Sequence, residues 1–106
     1  MQPAYYPRGA QVSAAITTNA TTLINAGQNA IFAGLLVNTA GSAWTAAIYK
    51  GNPASGGVLL VTLSGDTVGA VPCPLLQCPN GLYVVTAGTT AGSANVAYYS
   101  TGAAFA

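Results

Sequence analysis

GLYVVTAGTTAGSANVAYYS, residues 81–100, is the stretch on which the fold turns. A shorter copy, GLLVNTAGSAWTAAIYK, occupies residues 34–50. Both write G-L-x-V-x-T-A-G, pass through small residues and close on tyrosine. Leu and Val two positions apart share one face of a strand. The T-A-G that follows suits a reversal, with Gly41 and Gly88 supplying backbone freedom. Each copy therefore predicts a β-hairpin, the second with a longer turn through residues 89–91. Two such hairpins predict a pseudo-symmetric sandwich, each half contributing one. A repeat seen twice does not predict a solenoid, which needs at least three units.

Outward from the two copies, Gly and Asn punctuate the chain at short intervals and no window carries an amphipathic helical period. Thr, Val, Ile and Tyr fill the intervals and fit a pleated surface. Eight short strands are predicted, at 11–18, 20–24, 30–38, 44–50, 58–63, 67–71, 82–86 and 95–100. In the first, Val12, Ala14 and Ile16 are expected on one face. In the third, Ile31, Ala33, Leu35 and Val37 are expected together. In the fourth, Trp44, Ala46 and Ile48 oppose Thr45, Ala47 and Tyr49. The fifth is apolar on both faces, and the sixth is stopped by Pro72 and Pro74, which cannot donate to a ladder. NAGQN at 25–29 and PNG at 79–81 read as turns. Short strands at this spacing predict an all-β, single-domain antiparallel β-sandwich, jelly-roll-like, with two four-stranded sheets face to face.

The chain has 106 residues, enough for one domain and a thin core. Its charged residues are Arg8, Lys50 and Asp66, and it has no histidine. An average soluble domain is about one-quarter charged. A surface so close to neutral has little colloidal repulsion, which predicts self-association. There is no basic patch for nucleic acid to use. The longest apolar run, residues 31–37, is far short of the roughly 20 residues of a membrane-spanning helix, so no membrane partner is expected. MQPAYYPRGAQ lacks a basic start followed by an apolar stretch, so no secretory signal is expected. Asn19-Ala20-Thr21 matches the glycosylation acceptor pattern and, without a signal, is read as a chance match.

The same composition excludes most catalysis within one chain. General acid–base chemistry needs a group titrating near neutrality, and Asp66 is the single carboxylate. Paired-carboxylate glycoside hydrolysis, a Ser-His-Asp triad and a Cys-His nucleophile all lack members. Metal ligands are too few, and no glycine loop opens a helix as phosphate cradles do. The expectation is a non-enzyme with no cofactor and no metal. Cys73 and Cys78 in CPLLQC support two readings: a short disulfide-closed loop, or two free thiols used as small apolar residues. Trp44 is expected in the core or at an interface.

Residues 1–10 precede the sandwich domain at 11–106. Pro3 and Pro7 hold this segment extended. Tyr5, Tyr6, Pro7 and Arg8 then read as an arm that docks on a neighbouring subunit, against the plainer reading of a frayed terminus.

The stretches LLVNTAGSAWTAAIYKG and GLYVVTAGTTAGSANVAYY resemble small β-sandwich virion proteins of tailed bacteriophages. In that group a G-L-x-V-x-T-A-G strand leads through a turn to a closing aromatic strand. The similarity covers about residues 31–100. It implies a capsid decoration (cement) protein, a homo-oligomer with a trimer favoured, whose partner is the major capsid protein or another virion protein. It also implies location in the virion after synthesis in the host cytoplasm. This chain differs in being almost uncharged, so adhesion would rest on apolar and hydrogen-bond contacts with little salt dependence. The alternatives are a tail, neck or fibre-base subunit, or a non-viral glycan- or ice-binding module using Trp44 or Tyr98-Tyr99.

Overall fold

The computed structural model describes residues 11–25, 30–71, 73–78 and 81–100. The strands are β1 (Gln11–Val12), β2 (Thr21–Asn25), β3 (Ala30–Thr39), β4 (Thr45–Lys50), β5 (Val58–Ser64), β6 (Gly69–Val71), β7 (Leu76–Cys78), β8 (Leu82–Ala87) and β9 (Ser93–Ser100). One sheet has the order β1-β9-β3-β6, with β7 also paired to β3. The other has the order β2-β8-β4-β5. β6 and β7 face the two halves of β3, residues 35–37 and 30–32, so they act as one edge strand interrupted at 72–75. The sequence predicts no strand at 76–78; with β6 and β7 counted as one, the strands among the described residues number eight.

The pairings nest. β4 pairs with β5, β3 with β6 and β7, β2 with β8, and β1 with β9, all antiparallel. This is one long hairpin whose tip lies at residues 51–57. There Asn52 Oδ1 accepts from Ala54 N–H at 2.9 Å and starts a single 3-10 turn, Pro53–Ser55. Rolling that hairpin brings β3 beside β9 and β4 beside β8, which completes both sheets. The result is a jelly roll.

The repeated stretches are not hairpins. β3 and β4 lie in different sheets, as do β8 and β9, so each T-A-G is a corner that carries the chain from one sheet to the other. The two copies are nevertheless related by a pseudo-two-fold: the first strand of each pairs with the second strand of the other. Leu35 and Val37 in one copy, and Leu82 and Val84 in the other, are buried equivalents from opposite sheets. The corners bind each other. Ser42 N–H donates to Thr90 C=O at 2.9 Å, and Thr89 and Thr90 N–H donate to Ser42 C=O at 3.1 and 3.2 Å. A Cβ on Gly92 would lie 2.0 Å from the Thr39 carbonyl oxygen, so this crossing of two backbones admits only glycine.

Two face assignments change. In β3 the buried residues are Ala30 and Phe32, then Leu35 and Val37, with Ile31 and Ala33 turned away. The register against β9 slips between Phe32 and Gly34, and Gly34 has φ 150°. This bulge switches the inward face from even to odd positions, which simple alternation does not anticipate. The first strand is also much shorter than expected. Beyond β1, residues 13–15 bulge before Ile16 pairs with Ala94, one residue more on this side than on β9. Side chains carry the ladder through the bulge: Val96 N–H donates to Ser13 Oγ at 2.9 Å, and Asn95 Nδ2 donates to Ser13 C=O at 2.7 Å. Ile16 is buried, whereas Val12 and Ala14 are exposed.

Between the sheets lies one core, with Phe32, Leu35, Trp44, Ile48, Leu82, Val84 and Val96 as its largest members. Trp44, Ala46 and Ile48 face inward as expected. Among the described residues the buried polar side chain is Thr86, whose Oγ1 donates to Thr18 C=O at 2.6 Å and accepts from Ala20 N–H at 3.1 Å. It ties β8 to the segment that leads into β2.

Candidate functional site

Pairing in the β2-β8-β4-β5 sheet places four large residues in one row across its outer face. Leu23 is opposite Tyr83, Tyr83 opposite Tyr49, and Tyr49 opposite Leu59. Directly opposed residues share a face, and their Cβ atoms are about 5 Å apart. The row therefore runs perpendicular to the strands for roughly 14 Å, three inter-strand spacings. Leu23 is 49% exposed, Leu59 is 50% exposed, and the two tyrosines between them are half-buried.

Behind this row the next positions are Thr21, Val85, Ala47 and Thr62, followed by Ala87, Thr45 and Ser64. None of them is charged. Lys50 ends β4 opposite buried Leu82 and so belongs to the inner-face register. Asp66 lies beyond β5, in the bend that follows it. The face is thus an apolar and aromatic bar beside a field of hydroxyls and methyls. It can bury apolar area against a flat, uncharged surface, and the tyrosine hydroxyls can hydrogen-bond at its rim. It offers no cation to a phosphate and no carboxylate to a base.

A second feature lies along one side of the sandwich, between the edges of β1 and β2. A groove of about 390 Å³ is lined by residues 12–18, by Thr22, Leu23 and Ile24, and by Tyr98. Val12, on its rim, is 55% exposed. β1 and β2 are both edge strands, so backbone edges line the groove.

The remaining sequence candidates have structural roles or lie elsewhere. Trp44 is 2% exposed, so no face of its ring is left for a partner. Its backbone N–H donates to Asp66 Oδ1 at 2.8 Å, and its indole Nε1 donates to Asn19 Oδ1 at 2.9 Å. The lone carboxylate thus caps a core tryptophan. Both amide atoms of Asn19 are engaged, since its Nδ2 donates to Gly88 C=O at 2.9 Å. Cys73 and Cys78 are free thiols. Burial pushes both pKa values up, and for Cys78 a hydrogen bond from the Phe32 backbone and the nearby Lys50 charge pull the other way. Among the described residues no three potential metal ligands gather, and no helix is long and apolar enough to cross a membrane. Tyr5, Tyr6, Pro7 and Arg8 lie outside the described residues, as do 26–29, Pro72 and 79–80.

No family model, no curated protein and no solved structure matches the chain.

The outer row was not readable from the chain alone. Leu23, Tyr49, Leu59 and Tyr83 come from four separate segments, and only strand register aligns them. The available signal was weak: Tyr49 shares its strand face with Thr45 and Ala47, and Tyr83 with Val85 and Ala87, so neither strand alone marks an aromatic surface.

Proposed function

We propose that this chain is a structural subunit of a virion, a capsid decoration protein that lies on the shell and bridges neighbouring capsomers without catalysis. The observation that carries the reading is the uncharged outer face with its Leu23–Tyr83–Tyr49–Leu59 row on a jelly roll, an architecture that recurs in viral capsid proteins. A subunit bridging two capsomers opposes their separation under internal pressure. Oligomerisation multiplies weak contacts through effective concentration, so no single site need be strong.

The test is co-sedimentation with capsid shells that lack the protein. Wild type is expected to bind, with little change up to roughly 0.5 M salt because no exposed ion pairs carry the contact. Tyr49→Ser/Tyr83→Ser is expected to keep the fold and to weaken binding about 10-fold or more, as removal of central aromatic anchors does. Failure of wild type to bind shells, or equal binding by the double variant, refutes the reading.

The adjacent Tyr49 and Tyr83 favour a second reading, a glycan-binding module in which the rings stack on sugar. Saturable binding to a glycan array, lost in the same double variant, would select it.

A further inference from the structure

We propose that residues 2–8 of one copy add as an extra strand to the β2 edge of a neighbouring copy and fill the groove between β1 and β2. This deepens the reading above by naming how copies assemble, and it rests on that reading only for its purpose.

The groove calls for an extended peptide. It lies along the outer edge of β2, a five-residue strand paired, among the described residues, on one side only, to β8. The free N–H and C=O groups of such an edge accept another strand, while side chains of alternate residues enter the neighbouring pocket. The pocket runs between the sheets, beside Ile16, Ile24 and Tyr98, and among the described residues no charged side chain lines it.

The N-terminal sequence, Gln2-Pro3-Ala4-Tyr5-Tyr6-Pro7-Arg8, matches that edge in two independent ways. The backbone groups of alternate residues in a strand point to opposite edges. Pro3 and Pro7 are four apart, so both missing donors fall on the same edge, together with Tyr5. The other edge, Gln2, Ala4, Tyr6 and Arg8, keeps every N–H and can pair in full, which is the placement that tolerates proline in a sheet. Side chains alternate as well. Pro3, Tyr5 and Pro7 form an apolar face suited to the groove. Gln2, Ala4, Tyr6 and Arg8 form the opposite face, which continues the outer side of the sheet beside Leu23.

Chain direction makes the exchange intermolecular. β1 enters at Gln11 opposite Tyr98 and runs on to Val12 opposite Ala97, and most of the groove wall, residues 13–18, follows it. Residues 1–10 precede Gln11, so an arm that continued the line of β1 would lead away from residues 13–18 of its own groove. At about 3.3 Å per residue it reaches roughly 30 Å, enough to meet an adjacent copy. Arms passed in this way link copies into a closed dimer or ring.

The experiment compares the full chain, a variant lacking residues 2–9, and the single changes Ala4→Pro, Tyr5→Ser and Tyr6→Ser. The readouts are native mass spectrometry and amide hydrogen exchange. The full chain is expected to be a closed oligomer at low micromolar concentration, with residues 21–25 protected. The truncated chain is expected to be a folded monomer whose 21–25 amides exchange at least 10-fold faster. A peptide of residues 1–10 restores that protection, and the same peptide carrying Ala4→Pro does not. Tyr5→Ser dissociates the oligomer, whereas Tyr6→Ser leaves it intact. An oligomer that survives truncation, Ala4→Pro behaving as wild type, or a monomeric full chain with β2 already protected by its own arm overturns the proposal. None of these readouts uses a capsid shell, so loss of shell binding with arm exchange intact would refute the proposed function alone.

Discussion

Replacing Gly65 by alanine sets one methyl group against the indole of Trp44. An added Cβ at this position would lie 2.5 Å from Trp44 Cε3 and 3.2 Å from Cδ2 and Cζ3. The ring has no room to retreat: Trp44 is 2% exposed, its indole Nε1 donates to Asn19, and its backbone N–H is held by Asp66. The Gly65 backbone is held too, its N–H donating to Trp44 C=O at 2.7 Å and its C=O accepting from Gly41 N–H at 2.9 Å. Overpacking of this kind costs about 1–3 kcal/mol. Alanine also lowers the entropy of the unfolded chain, which offsets about 0.4–1 kcal/mol. The expected net loss is about 1–2 kcal/mol, read as a lower urea midpoint at unchanged slope. In a domain of this size it corresponds to a melting temperature lower by about 4–16 °C. A double-mutant cycle isolates the contact. Trp44→Phe is destabilising by itself, on the order of 2–3 kcal/mol, but its single ring leaves the Cζ3 side of the pocket empty. In that background Gly65→Ala should cost close to nothing, a coupling of about 1 kcal/mol or more. Far-UV circular dichroism follows unfolding in all four proteins. Equal losses from Gly65→Ala in both backgrounds would refute the reasoning.

Other expectations follow from the same geometry. Asp66→Ala removes the acceptor of the Trp44 backbone N–H and should destabilise by about 1–3 kcal/mol in urea, while Asp66→Asn, which retains an acceptor oxygen, should lose much less. Thr86→Val leaves Ala20 N–H and Thr18 C=O without their partner and should cost about 1–3 kcal/mol, with faster exchange of the Ala20 amide. The repeat-equivalent change Thr39→Val, at an exposed site, should stay within about 0.5 kcal/mol. Gly34→Ala places a side chain at φ 150° in the β3 bulge and 3.3 Å from the Val71 carbonyl oxygen, and should destabilise by about 1–3 kcal/mol. Cys73 should alkylate before buried Cys78, and both more slowly at neutral pH than a free thiol, because burial raises both pKa values. A raised folded-state pKa contributes stability that is complete below the ordinary thiol range and is lost as pH rises from there through the raised folded-state value. Cys78→Ala should therefore flatten part of the alkaline fall in the urea midpoint.

Although it missed β7 and overextended the first strand, local sequence determined most of the strands, the antiparallel sandwich and the inward face of residues 44–48, because alternation against one core is a short-range pattern. It also marked the two T-A-G segments as places where the chain changes course. What they do there was beyond its reach. A small-residue turn permits either a hairpin or a corner between sheets, and the choice depends on which edges the two flanking strands find. β3 and β9, like β4 and β8, are far apart in sequence, and their pairing converts both turns into corners that cross. Tertiary structure alone also decided the fate of individual side chains. The Gly34 bulge turned Phe32 inward and Ile31 outward, and strand register gathered Leu23, Tyr83, Tyr49 and Leu59 into one row. The physical reason is common to both: each depends on hydrogen-bond register between distant strands, and a shift of one residue there reverses which side of the sheet a side chain occupies.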